Sequence, residues 1–137
     1  IVSQGIRINI MGEMSKLSND VRKVLKKSIS LTKKNKKITV NLAINYGSKT
    51  EILNAIKKMK KNINKKNLEK NLYTGNIPNP DILVRTGGHQ RLSNFMLWQL
   101  AYTELFFLKK LWPDLNFKDL ILIVKKYKKI TRNFGNI

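Results

Sequence analysis

Apolar and polar residues alternate along two stretches in the first third of the chain, at 6–11 and 38–45. A period of two is typical of a strand with one buried face, so both stretches predict β-strands. Two short apolar runs follow at 82–84 and 105–108. Such runs are typical of short, fully buried strands.

Apolar residues recur at helical spacing after each of the first two strands. In the first helix they run over 21–29, and Ser18 is the expected N-cap. In the second they run over 52–63, after a tight turn at 45–49. We expect a further short helix at 68–73.

The C-terminal half predicts two more helices. The first is strongly apolar and covers 95–101, directly after a pair of glycines and a serine. The second begins after Asn116, whose side chain would cap it, with Asp119 completing a capping-box pattern. Its apolar stripe, expected to be buried, consists of Phe117, Leu120, Ile121, Val124 and Tyr127.

The order of these elements predicts the fold class. Strand, turn and helix repeat along the chain, which is typical of α/β folds. We therefore expect a mostly parallel central sheet flanked by helices. The length of 137 residues, with 42% hydrophobic residues, suits a single domain over 1–137.

The stretch 80–95 is the most informative part of the chain. It reads as a short strand, a glycine-paired turn and a group of anion-binding side chains. Parallel sheets bind ligands beyond the carboxyl ends of their strands, and guanidinium forks suit phosphate oxygens. The stretch therefore indicates a phosphate or diphosphate site, and an ordinary turn with two surface arginines is the alternative. The candidate residues are Arg85, Gly87, Gly88, Arg91 and Ser93.

The charge of the chain could indicate a different function. Its 28 basic and 8 acidic residues give a net charge of +20, which is typical of nucleic-acid-binding proteins. The basic residues are mostly lysines in pairs, however, with few aromatic residues between them to stack on bases. We therefore expect no nucleic-acid partner. Without cysteine, a disulfide or a thiolate metal site is excluded.

The central motif and its continuation resemble a known enzyme family. The residues Arg-Thr-Gly-Gly-x-x-Arg-Leu-Ser-Asn-Phe-x-Leu-Trp-Gln begin at Arg85, and Ala-Tyr-Thr-Glu-Leu and Trp-Pro-Asp follow at 101–105 and 112–114. This pattern resembles the cis-prenyltransferases, most of all their bacterial undecaprenyl diphosphate synthase branch. The resemblance implies the α/β fold that the alternating elements predict.

The resemblance also implies a reaction. Family members join isopentenyl diphosphate to an allylic diphosphate, usually farnesyl diphosphate, and extend a cis-polyprenyl chain with Mg²⁺. By position, the family's isopentenyl diphosphate site corresponds to Arg85, Arg91 and Ser93, with Gly87, Gly88 and Asn94 supporting the loop. Glu104 matches the family's glutamate that assists the metal-bound diphosphate. The resemblance further implies a cytoplasmic homodimer, with peripheral membrane association through its lipid product.

Several departures from the family pattern limit these expectations. The family's N-terminal loop with its metal-binding aspartate is absent, so we assign no catalytic residue and expect a C-terminal portion, without the first strands, that is inactive alone. At 45–49 the family's Asn-Tyr-Gly-Gly-Arg reads Asn-Tyr-Gly-Ser-Lys, which leaves Asn45 and Tyr46 as accessory candidates. His89 replaces a usual glutamate, and Arg132 lies one position before the family's C-terminal Arg-x-Gly turn.

Two other functions remain as alternatives. A non-catalytic partner subunit of a heteromeric prenyltransferase would be expected to lose the arginine–glycine–serine motif, which this chain keeps. A basic nucleic-acid-binding domain would need its positive charge on one contiguous face and would bind with steep salt dependence.

Overall fold

The computed structural model describes residues 3–59, 62–75 and 77–133. The chain forms two compact units, Ile1–Ile77 and Pro78–Ile137. Within the described residues, each unit contains a two-stranded parallel sheet and at least one α-helix. The α/β class with parallel strands is therefore confirmed, whereas the single domain stays a prediction.

The first unit begins with a strand–helix–strand arrangement. Strand β1 (Ile6–Met11) and strand β2 (Ile38–Ala43) pair in parallel, with Ile6 opposite Ile38. Helix α1 (Asn19–Thr32) connects them and packs on β1. The buried hydroxyl of Thr32 accepts a hydrogen bond from the Ile8 backbone N–H at 3.1 Å. Ser18 caps α1, as predicted.

Two further helices complete the first unit. Helix α2 (Ser48–Lys58) ends five residues before the predicted boundary, and helix α3 (Lys65–Asn71) begins three residues earlier than predicted. Their packing forms most of this unit's small core, made of Ala55, Met59, Leu68 and Leu72. Burying these side chains is the main stabilising contribution in this region.

The second unit contains the remaining strands. Strand β3 (Ile82–Arg85) and strand β4 (Glu104–Phe107) pair in parallel, both within one residue of the predicted positions. Helix α4 (Phe117–Tyr127) follows a 3₁₀ turn at Trp112–Asp114. The predicted capping box between Asn116 and Asp119 is present.

The helix predicted at 95–101 is wrong. These residues form turns and bends, and the Leu100 N–H donates to the Met96 carbonyl. Positive φ angles occur just before the segment and within it: 48° at Ser93, 63° at Asn94 and 46° at Met96. A right-handed helix cannot include such residues. Ser93 is therefore not a helix cap.

The apolar stripes of the outer helices are less buried than predicted. On α4 only Ile123 is buried, whereas Phe117 is 75% exposed. On α1, Val24 is 63% exposed. For α1 and α4, the helical spacing of apolar residues predicted the helix correctly but not which of its faces is buried. Among the described residues, no helix is long and apolar enough to cross a membrane.

Candidate functional site

A cavity of about 280 Å³ lies at the carboxyl end of β3, where parallel sheets bind their ligands. Its lining combines the two arginines of the central motif and one threonine with apolar side chains. The lining residues are Leu83, Val84, Arg85, Thr86, Arg91, Leu92 and Phe95. A cavity lined by both cationic and apolar side chains suits a small ligand with a charged head and a hydrocarbon tail.

The side chain of Arg85, at the start of the central motif, contacts residues 91 and 93 further along it. It is the last residue of β3, is half-buried, and its Nη1 lies 3.2 Å from the Ser93 hydroxyl oxygen. The same guanidinium also donates to the backbone carbonyl of Arg91. The left-handed turn at Ser93 and Asn94 folds the chain back toward Arg85, and both of these residues are exposed. The structure therefore brings together Arg85, Arg91 and Ser93, as the sequence predicted.

The glycine pair shapes the turn between these residues. Gly87 and Gly88 have φ angles of 88° and 75°, which other residues rarely adopt. Their backbone N–H groups donate to the carbonyls of Lys110 at 2.8 Å and Leu108 at 2.9 Å. Since these N–H groups already have protein partners, anion binding falls to the side chains. His89, which follows the pair, is exposed.

Glu104 does not lie beside the arginine cavity. It is the first residue of β4 and pairs with Ile82, whereas Arg85 pairs with Phe107 at the opposite end of the sheet. Three residues along a strand correspond to about 10 Å. Among the described residues, no group of three or more histidine, cysteine or acidic side chains could hold a metal ion.

Arg132 forms a cluster at the amino end of β3. Its Nη1 donates to the Asp81 carboxylate and to the Tyr127 hydroxyl, each at 2.6 Å, and its Nη2 donates to the Tyr102 carbonyl at 2.9 Å. The hydrogen bond from Arg132 lowers the pKa of the Asp81 carboxyl. Arg132 thus anchors the end of the described chain rather than lining the cavity. The rest of the predicted turn, 134–135, lies outside the described residues.

Asn45 and Tyr46 lie in the first unit, at the carboxyl end of β2. They line a second, polar cavity of about 170 Å³. Its lining residues are Gly12, Glu13, Lys16, Asn45, Tyr46, Gly47, Thr50, Glu51 and Tyr73. The expectation that these residues share a sheet edge with Arg85 stays a prediction, because they belong to different units of the chain.

Glu51 is the residue of this second cavity that the sequence analysis missed. It is 2% exposed, and its carboxylate accepts from the Tyr46 hydroxyl at 2.5 Å and from the Tyr73 backbone N–H at 2.7 Å. A buried carboxylate is stable only with such partners. Its place in the first turn of α2 was visible in the sequence, but its burial was not.

Backbone contacts hold the loop that carries Asn45. Its side-chain amide donates to the Glu13 carbonyl at 3.1 Å, and the Glu13 N–H donates back to the Asn45 carbonyl at 3.2 Å. A Cβ on Gly12 would lie 2.1 Å from the Ile44 carbonyl oxygen. The loops after β1 and β2 can therefore cross this closely only with glycine at position 12.

Sequence comparisons connect this chain to a family of synthases. Residues 1–135 match a prenyltransferase family model described as "Putative undecaprenyl diphosphate synthase". An isoprenyl transferase of Rickettsia bellii is 42% identical over 135 residues, covering 96% of this chain and 60% of the relative. One from Leptospira interrogans is 40% identical over 148 residues, covering 100% of this chain and 61% of the relative.

Solved structures agree with the sequence comparisons. A probable undecaprenyl diphosphate synthase from Campylobacter jejuni superposes with a TM-score of 0.91 at 34% identity, over 98% of this chain and 65% of the other. Lavandulyl diphosphate synthase from Lavandula x intermedia gives 0.89 at 34% identity, over 96% and 61%. The chain thus spans about three fifths of the length of the curated relatives it matches.

Proposed function

This chain belongs to the undecaprenyl diphosphate synthase family of prenyltransferases, and on that premise we propose that its Arg85 cavity binds isopentenyl diphosphate. The reaction is condensation of isopentenyl diphosphate with an allylic diphosphate such as farnesyl diphosphate. Repeated additions would give a long cis-polyprenyl diphosphate such as undecaprenyl diphosphate.

The contact between Arg85 and Ser93 carries this proposal. The 3.2 Å separation places the Ser93 hydroxyl beside the Arg85 guanidinium, and Arg85 and Arg91 both line the cavity. These groups can donate several charge-assisted hydrogen bonds to diphosphate oxygens. The apolar residues Leu92 and Phe95 on the same cavity suit the five-carbon tail of isopentenyl diphosphate.

The role of these residues is to bind and orient. Arg85 and Arg91 would neutralise the diphosphate of isopentenyl diphosphate, and Ser93 would fix one of its oxygens. Holding the diphosphate at one end leaves the alkene end free to meet the allylic carbon, and this orientation lowers the entropic part of the barrier. Glycines 87 and 88 would shape the loop, and Asn94 would support it. Asn45, Tyr46, His89 and Arg132 remain accessory candidates.

Prenyl diphosphate synthases generally use a divalent metal ion, and we propose Mg²⁺ here, with Glu104 as one ligand. Mg²⁺ usually takes one or two carboxylates and completes its coordination with water and phosphate oxygens, so one glutamate suits it chemically. The position of Glu104, about 10 Å along the sheet from Arg85, does not fit an ion shared with the Arg85 cavity.

We also propose the assembly and location that the family implies. A homodimer is supported by the large exposed apolar side chains of Trp112 and Phe117, which are 73% and 75% exposed. The net charge of +20 supports a peripheral, cytoplasmic-side attraction to anionic lipid headgroups. Sedimentation of the protein alone tests the homodimer. Sedimentation with anionic vesicles tests the attraction to lipid headgroups.

Calorimetric titration with isopentenyl diphosphate tests the proposed site. We expect Arg85→Ala and Arg91→Ala to weaken binding roughly tenfold or more, because each removes a charged hydrogen-bond donor. Arg7→Ala, at an exposed arginine of β1, removes the same charge and is the matched control. Equal affinities for all three variants would overturn the assignment.

A prenyl-elongation assay with farnesyl diphosphate and Mg²⁺, on this chain and on a relative of full length, tests the reaction.

A further inference from the structure

The segment Leu108-Lys109-Lys110 contacts both the turn formed by Gly87 and Gly88 and the start of helix α4. It continues from β4, and the Leu108 N–H donates to the Arg85 carbonyl at 2.8 Å. The carbonyls of Leu108 and Lys110 then accept the N–H groups of Gly88 and Gly87. Three backbone contacts thus run between this segment and the stretch that carries Arg85.

The side chain of Lys110 extends the connection to α4. Its Nζ lies 2.8 and 2.9 Å from the two carboxylate oxygens of Asp119. Asp119 also accepts from the Asn116 N–H at 3.0 Å, as part of the capping box that begins α4. The Lys110 ammonium therefore binds a carboxylate whose position is fixed by the N-terminal cap of α4.

Side-chain packing does not fix the glycine turn. Among the described residues other than the chain neighbours, no atom lies within 4 Å of a Cβ placed on Gly87 or Gly88, so the space at that position is open. The hydrogen bonds to Lys110 and Leu108 hold the turn instead, and these depend on the position of the 108–110 segment.

We propose that Lys110 and Asp119 are positioning residues of the diphosphate site. Their ion pair holds the 108–110 segment, the segment holds the glycine turn, and the turn determines the separation of Arg85 and Arg91. This inference rests on the proposed function, because it assigns a role toward the same diphosphate. Neither residue is among those that line the Arg85 cavity.

Two substitutions that change the net charge in opposite directions distinguish a positioning role from a general electrostatic effect on anion binding. Lys110→Met lowers the net charge by one and Asp119→Asn raises it by one, yet both remove the ion pair. If charge alone mattered, Asp119→Asn would bind an anion more tightly. If positioning matters, both variants bind it more weakly. The amide introduced by Asp119→Asn keeps an oxygen that can accept from the Asn116 N–H, so the helix cap is preserved.

The probe is inorganic pyrophosphate, titrated by calorimetry into the whole chain. We expect Lys110→Met and Asp119→Asn each to bind roughly threefold to tenfold more weakly than Lys109→Met, whose exposed side chain makes it the matched control. Lys110→Arg should restore affinity. Amide hydrogen exchange at Gly87 and Gly88, followed by NMR, should accelerate in the two weakened variants and not in Lys109→Met.

Thermal unfolding gives the remaining readout. Because exposed ion pairs contribute little to global stability, the midpoints of all four variants should lie close together. Unchanged glycine exchange in Lys110→Met would overturn the proposal, as would tighter pyrophosphate binding by Asp119→Asn. If the wild-type chain does not bind pyrophosphate, the proposed function fails, but the exchange experiment still decides whether the ion pair holds the turn.

Discussion

Arg85 and Ser93 are eight residues apart in sequence, and the structure places Arg85 Nη1 3.2 Å from the Ser93 hydroxyl oxygen. The contact closes a loop that begins at the carboxyl end of β3. It exists because Ser93 and Asn94 adopt left-handed conformations, which turn the chain back toward the sheet. A helix starting at Ser93 would have carried the following residues in another direction.

Ser93→Ala should weaken binding of isopentenyl diphosphate by roughly tenfold or more, because one hydrogen bond to a charged group contributes about 1.5–3 kcal/mol. The hydroxyl both contacts Arg85 and is available to a phosphate oxygen. Calorimetric titration measures the effect. Ser30→Ala, at an exposed position of α1, is the matched control. An affinity equal to that of the control would contradict the role of Ser93.

Gly88→Ala should destabilise the protein by about 1–2 kcal/mol, because a Cβ is unfavourable at a φ of 75°. No atomic clash adds to this cost, since the space around Gly88 is open. Gly12→Ala should cost more, because its Cβ would also lie 2.1 Å from the Ile44 carbonyl oxygen. Urea denaturation of both variants gives the comparison. A larger loss for Gly88→Ala would contradict the geometry.

Glu51→Ala should be among the most destabilising substitutions in the first unit. It removes one acceptor from the Tyr73 N–H and one from the Tyr46 hydroxyl, both in part-buried contacts, at roughly 1–3 kcal/mol for each. Glu51→Gln keeps an acceptor oxygen and should lose less. Tyr46→Phe isolates the hydroxyl contact. Urea denaturation ranks the three, and a Gln variant as unstable as the Ala variant would contradict this account.

The Asp81–Arg132 pair should make stability depend on pH at acidic values. The hydrogen bond from Arg132 lowers the pKa of the Asp81 carboxyl in the folded chain below its unfolded value of about 4. The contribution of this ion pair to stability is therefore fully present above the unfolded pKa of Asp81. It is lost as the pH falls through the lower pKa that Asp81 has in the folded chain.

Asp81→Asn should remove this contribution, so the stability difference from wild type should be largest above about pH 4 and shrink below it. Urea denaturation between neutral and strongly acidic pH measures that difference. Asp114→Asn, which removes an exposed carboxylate in the 3₁₀ turn, is the control. A stability difference for Asp81→Asn that is constant across this pH range would contradict the pairing.

Features that depend on near neighbours in sequence could be predicted without the structure. The alternation at 6–11 and 38–45 predicted both strands of the first sheet, the second of which ends two residues earlier, and Ser18 and Asn116 predicted where α1 and α4 begin. Strand periodicity and helix capping involve residues only a few positions apart, so they are visible in the order of the side chains. The family was likewise recognisable from one nearly continuous motif.

Other features depend on contacts between distant residues. The register of β3 against β4 separates Glu104 from Arg85, and the carbonyls of the 108–110 segment position the glycine turn. The burial of Glu51 depends on Tyr73, 22 residues away. The sequence by itself thus determined most of the elements, although not the segment 95–101, as well as the family and the anion-binding residue types. Only the tertiary structure decided which of those residues meet, because strand register and burial arise from packing between segments that are far apart in the chain.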